Sequence, residues 1–145
     1  MAAFQGADYA DPAVIARVLR RSELWFVVGL SNNTARAAYG VAEVLREHDK
    51  AVVPIHPDAP IVAGVQGFAT IAQAADLFGA PDVVDVFVNS DLAGPIVDDA
   101  IAAGAEAVWL QLKVIDEAAA ARAQAAGLDV VMDRCPAIEL PRLRG

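Results

Sequence analysis

Cysteine is almost missing from this chain: Cys135 stands alone among 145 residues, so no internal disulfide framework is available. Histidine is nearly as scarce. His48 and His56 are not spaced as ligands and no Cys/His cluster accompanies them, which leaves a metal site without support. Basic charge is also short, with 11 Lys and Arg against 19 Asp and Glu for a formal charge of −8. A nucleic-acid or anionic-membrane partner would want a basic face, so both are excluded as expectations. No apolar run approaches the ~20 residues needed to cross a bilayer. The opening MAAFQGADYADP lacks the basic-then-apolar pattern of a secretion signal. Linkers, repeats and low-complexity tracts are missing too. The expectation is one soluble, cytoplasmic domain over residues 1–145, with its core at about 11–139. A chain of that length buries about two-thirds of the surface its unfolded form exposes.

What is present is organised around residues 25–44, WFVVGLSNNTARAAYGVAEV. Trp25 to Val28 form an unbroken apolar run, as a strand buried on both faces requires. The run stops at Gly29 and enters the polar patch Ser31-Asn32-Asn33-Thr34. A helical pattern follows, with Ala38, Val41, Ala42 and Leu45 at i, i+3, i+4 and i+7. Strand, glycine-led bend and helix together present free N–H groups and the positive end of a helix dipole, a place suited to phosphate.

The rest of the chain alternates in the same way. Asp11-Pro12 should cap a first helix, with Val14, Ile15, Val18 and Leu19 inward and Arg17, Arg20 and Arg21 in solvent. Strands are predicted at 51–57, 83–88, 107–112 and 128–132. Gly64 to Phe68 suggest a turn and a brief extended segment, with a weak helix over 71–77. Ser90 and Asp91 read as loop, Gly94-Pro95 as the start of a helix closed by Gly104, and Asp116 as the cap of an alanine-rich helix reaching Gly127. The tail DRCPAIELPRLRG reads as loop. Apolar strands alternating with helices predict an α/β, Rossmann-like, doubly wound parallel sheet of about five strands covered on both faces.

Ligands of such sheets sit at the carboxyl ends of the strands. Here those ends are Gly29-Leu30-Ser31, Ile55-His56-Pro57, Phe87-Val88-Asn89, Gln111-Leu112-Lys113 and Asp133-Arg134-Cys135. A G-x-G-x-x-G dinucleotide fingerprint is missing, because Gly29 is the only glycine in its turn. No G-K-[ST] occurs, which removes a P-loop.

Several stretches are more specific: VVGLS at 27–31, Arg36 with Tyr39-Gly40-Val41-Ala42, Pro54-Ile55-His56-Pro57, and VVDVF at 83–87. They continue with IVDDAIAAGAEAVWLQL at 96–112 and VVMDRCPAIE at 130–139. On these residues the chain, from about Asp11 to Glu139, resembles the stand-alone CoA-binding domain family. That family's fold is that of the N-terminal domain of the succinyl-CoA synthetase alpha subunit.

The resemblance implies coenzyme A or acyl-CoA as ligand. Pyrophosphate contact is implied at the turn Gly29, Leu30, Ser31, Asn32, Asn33 and Thr34, with Arg36 the nearest cation and Tyr39 following in the helix. It places the adenosine side near His56 and Pro57. Pantetheine is implied to run past Phe87, Val88, Asn89, Gln111 and Leu112. The family turn is usually proline-rich with a serine at the helix start; here Asn32, Thr34, Ala37 and Ala38 stand there. Lys113 occupies a position where a glycine is common.

The function expected is a binding or regulatory module without independent catalysis. The alternatives are a CoA-ligase-type component acting with a partner subunit, or an NAD(P)-binding protein. Among single residues, His48 is expected to stabilise the end of its helix and Trp109 to lie in the core. Asn33 or Thr34 could cap the helix that follows. Cys135 has no histidine nearby in sequence to serve as its base, so it reads as a buried or half-buried thiol at the ligand edge.

Overall fold

The computed structural model describes residues 9–143. The segment 1–8, most of the stretch read above for a secretion signal, and the last two residues of the tail lie outside the described residues.

Helix α1 (Pro12–Arg21) begins as its sequence dictates, with the Asp11 carboxylate accepting from Ala13 N–H and Pro12 in the first turn. Ile15, Val18 and Leu19 are buried. Arg17 departs from expectation: instead of pointing freely into solvent it grips Asp129 at 2.7 Å. Strand β1 (Leu24–Val28) follows, then α2 (Ala37–Glu47) and β2 (Ala51–Ile55). His48 closes α2, its Nδ1 standing 2.9 Å from the Val44 carbonyl, as expected of it. Lys50 then reaches back, and its ammonium donates to the carbonyls of Leu19 and Ser22 at the end of α1. Burial lowers the Lys50 pKa, so part of that gain is returned as desolvation. Lys50→Met leaves both carbonyls without their charged donor and is expected to cost about 1–2 kcal/mol, measured by urea denaturation.

The predicted turn and extended segment at 64–68 is a small antiparallel hairpin, β3 (Ile61–Val62) with β4 (Val65–Gln66). It ends in a single parallel bridge between Phe68 and Ile55. Helix α3 (Ile71–Phe78) is capped by Thr70, whose hydroxyl accepts from Gln73 N–H. Strand β5 (Val83–Val86) leads to α4 (Ser90–Ala102). Gly94-Pro95 therefore lies inside α4 rather than at its start, and Ser90-Asp91 are helical rather than loop. The helix tolerates this proline because Pro95 is exposed and water can reach the carbonyl it leaves unpaired. Ser90 explains the earlier start. Its hydroxyl donates to the Lys113 carbonyl and accepts from Ile115 N–H, so the first turn is anchored across the sheet edge.

Strand β6 (Ala107–Leu110), α5 (Glu117–Ala125) and β7 (Asp129–Val131) complete the alternation, with Asp116 capping α5 through Ala119 N–H as expected. The tail is not loop. Pro136–Glu139 form a short helix, α6, continued by a 3-10 turn over Leu140–Arg142. Leu140 is buried in the core beneath, which holds the tail against the body of the protein.

Five strands form one parallel sheet in the order β2-β1-β5-β6-β7. Side chains alternate across it. Trp25, Val27, Val83 and Trp109 meet α1, α2 and the tail, whereas Phe26, Val28, Val84 and Val108 meet α3, α4 and α5. The two tryptophans lie 5.9 Å apart. Their indole N–H groups donate to Ser22 Oγ and to the Arg134 carbonyl, each at 2.9 Å. The chain winds one way from β1 to β2, then crosses back to β5. The crevice where that direction reverses lies between the carboxyl ends of β1 and β5.

Candidate functional site

Gly29 stands at that crevice. Its N–H donates to the Ile55 carbonyl at 2.8 Å while Phe87 N–H reaches Val28 O at 2.9 Å, so three strand ends are tied at one point. Its φ is +98°, and a Cβ placed there would sit 2.5 Å from the Phe87 carbonyl oxygen. Only glycine fits, for conformation and for space together.

Beyond the bend the polar patch folds on itself. Ser31 Oγ accepts from Asn33 N–H, and the Asn33 carboxamide oxygen accepts from Ala35 N–H. Neither Asn33 nor Thr34 caps α2. The cap position is Arg36, with no side-chain cap bond, and the N–H groups of Ala37 and Ala38 find no acceptor among the described residues. The helix therefore starts with bare donors and the partial positive charge of its dipole, and the cap residue beside them, Arg36, is a cation.

A cleft of about 730 Å³ opens over this point, within the range of small-molecule sites. Gly29, Ser31, Asn33, Arg36, His56, Pro57, Phe87 and Val88 all line it. A second chamber of about 380 Å³ shares Arg36, Phe87, Val88 and Leu92 with the first, and continues to Asn89, Gln111, Leu112 and Cys135. Four of the residues singled out from sequence stand elsewhere. Leu30 is wholly buried, Asn32 donates to the Ile61 carbonyl, and Thr34 and Tyr39 lie outside the lining of both chambers. Lys113 also lies outside it. The backbone of Lys113 sits at φ +67°, a left-handed conformation that favours glycine.

His56 presents one face to the cleft. Its Nδ1 accepts from Asp58 N–H at 3.2 Å, which leaves the ring proton on Nε2 as a donor. The same Nδ1 is 3.7 Å from the Asp58 carboxylate, but a nitrogen accepting from an amide has no proton for an ion pair. Sequence reading missed the helical wall: Thr70 and Ile71 at the start of α3, and Leu92, Pro95, Ile96 and Asp99 along one side of α4. The spacing of 92, 95, 96 and 99 on a single helix face was the available signal.

Behind the second chamber lies the strangest group in the molecule. Asp85, in the middle of β5, is wholly buried between Val27 and Trp109 of the neighbouring strands. The Gln111 amide donates to its Oδ1, while Oδ2 has no partner. Burial pushes its pKa up to about 8, against the smaller opposing pull of the Gln111 bond, so it is a neutral acid at pH 7. Cys135 is half-buried. Burial raises its pKa above the ordinary thiol value, outweighing the Ile138 and Ala137 backbone bonds that lower it, so the unreactive thiol form prevails. Among the described residues no group of acidic, histidine or cysteine side chains could hold a metal ion. No described helix is long and apolar enough to cross a membrane.

Residues 23–141 match the family described as CoA binding domain. The chain belongs to that family. This CoA-binding domain is 26% identical over 123 residues to the uncharacterised Bacillus subtilis protein YneT, covering 85% of this chain and 89% of that one. A structure of a hypothetical protein from Pyrococcus horikoshii OT3 superposes with a TM-score of 0.86 at 33% identity, covering 95% of both chains. The dinucleotide-forming acetyl-coenzyme A synthetase 1 of Korarchaeum cryptofilum gives a TM-score of 0.64 at 20% identity. There the match covers 77% of the CoA-binding domain and 26% of the synthetase, and it speaks to the fold alone.

Proposed function

We propose that this CoA-binding domain takes coenzyme A or an acyl-CoA in the two-chambered cleft and acts as a binding module without chemistry of its own. One observation carries the reading: the uncapped start of α2 lies where the two chambers meet beside the sheet's switch point, with Arg36 lining both and Ala37 lining the inner one. The diphosphate lies against Gly29 and the α2 N-terminus, the adenosine side toward His56 and Pro57, and pantetheine passes Phe87 toward Gln111. Family membership and the continuity of the chambers through Phe87 and Val88 support this order. Asp58 and Asp99 also line the cleft, and the chain is acidic overall, so the anion is held by local donors against an adverse field.

Parallel calorimetric titration with CoA, 3′-dephospho-CoA and NAD tests the reading. CoA is expected to bind and NAD not; the reverse result replaces it with a dinucleotide site. Arg36→Gln is expected to weaken CoA and 3′-dephospho-CoA alike by about tenfold or more, the worth of a charge-assisted hydrogen bond. Unchanged affinities would remove Arg36 from the diphosphate.

A further inference from the structure

The second chamber holds features that diphosphate and pantetheine binding do not require. Its wall is largely apolar, with Val41, Val88, Leu92, Leu112 and Val114 around it. Besides Arg36 at its mouth, Asn89 and Gln111 are its polar side chains, and of these Gln111 is only 4% exposed. One of its amide hydrogens is given to Asp85. Its second hydrogen and its oxygen meet no partner among the described residues. A buried amide with spare capacity at the wall of an apolar chamber suits a ligand bearing one carbonyl on an otherwise apolar group.

Charge narrows the choice. Among the described residues Arg36 is the only cation lining the chamber, and it stands at the mouth shared with the larger cleft, where the proposed diphosphate would take it up. Deeper in, the ionisable groups are the Cys135 thiol on the lining and the buried Asp85 carboxyl held by Gln111, neither of which offers positive charge. The bare Ala37 N–H opens on the same mouth as Arg36, and a carboxylate carried past that mouth would lose its water and meet no further cation among the described lining residues.

We propose that the inner chamber seats the acyl group of a CoA thioester and selects uncharged acyl chains over those ending in a carboxylate. Gln111 meets the thioester carbonyl with its free amide hydrogen, and the chain beyond lies on the apolar wall. This rests on the reading of the cleft as a CoA site.

The four-carbon pair butyryl-CoA and succinyl-CoA separates the cases, because the two differ in the end group and little in length. Titrated into the full chain, butyryl-CoA is expected to bind at least about tenfold tighter than succinyl-CoA. Cys135, the only cysteine, lines the chamber and reports its occupancy. Saturating butyryl-CoA should slow its alkylation by iodoacetamide at pH 8.5 by about tenfold, more than CoA itself does. Leu112 is exposed at the chamber rim, so Leu112→Lys supplies the missing cation without disturbing the core. It is expected to shrink the preference at least about fivefold. Equal affinities for the two thioesters, a preference for succinyl-CoA, an unprotected Cys135, or a ratio that Leu112→Lys leaves unchanged would each overturn the selectivity while leaving CoA binding intact. Failure of CoA and both thioesters to bind would instead overturn the reading of the cleft.

Discussion

Gly29→Ala is expected to cost roughly 2–5 kcal/mol of stability and to abolish CoA binding. Two penalties act at once. The backbone at φ +98° is a conformation that alanine adopts only under strain, and the new methyl would stand 2.5 Å from the Phe87 carbonyl oxygen. Neither is relieved locally, because Gly29 N–H is tied to Ile55 and Phe87 N–H to Val28. Relief must come from spreading β1 from β5, and that spreads the crevice. Urea denaturation of the variant measures the first effect and calorimetry with CoA the second. Parent-like values in both would mean that the bend can be rebuilt without the site noticing.

The second large effect is a loss of stability as pH rises. Asp85 has an ordinary carboxyl pKa of 3.8 when unfolded and about 8 in the fold, so between those values the folded chain holds a proton that the unfolded chain has released. Stability from this group is whole below about pH 4, falls as pH rises toward 8, and levels off above it. The total is on the order of a few kcal/mol. Asp85→Asn keeps an acceptor for the Gln111 amide and has nothing to ionise. Its urea midpoint should vary less between pH 5 and pH 9 than the parent's and exceed the parent's at pH 9. Parallel pH profiles for the two proteins would show that Asp85 is not the group responsible.

Most of the fold is legible in the sequence because its signals are local. The buried run from Trp25 to Val28, the inward face of α2, and the caps Asp11 and Asp116 are each decided within a few residues of themselves. The start of α4 is not. Gly94-Pro95 mimics a helix opening, while the real opening depends on Ser90 meeting residues more than twenty positions away. The helical tail was hidden for a similar reason: Leu140 is held by a core that no short window displays.

The site divides along the same line. Strand ends could be read, and they supplied Gly29, His56, Phe87 and Gln111. The wall from α3 and α4 could not, since nothing in sequence says which helix face overhangs a crevice. Leu30 is the converse case. It follows the bend directly, yet its side chain turns into the core. Asp85 passed unremarked within the VVDVF stretch, and its meaning appears only once Gln111 is seen to be its partner.

The flanks of the sheet carry a last consequence. On the β2 side, Phe68 takes up Pro54 O and His56 N–H, so the outermost strand is not bare at its ligand end. Across the sheet β7 is three residues long, its Asp129 is locked to Arg17, and the Met132 N–H just past it goes to the Tyr9 carbonyl. Among the described residues a neighbouring copy finds no long row of idle peptide groups to zip onto. Concentrated solutions of this chain should therefore resist fibril growth by strand addition.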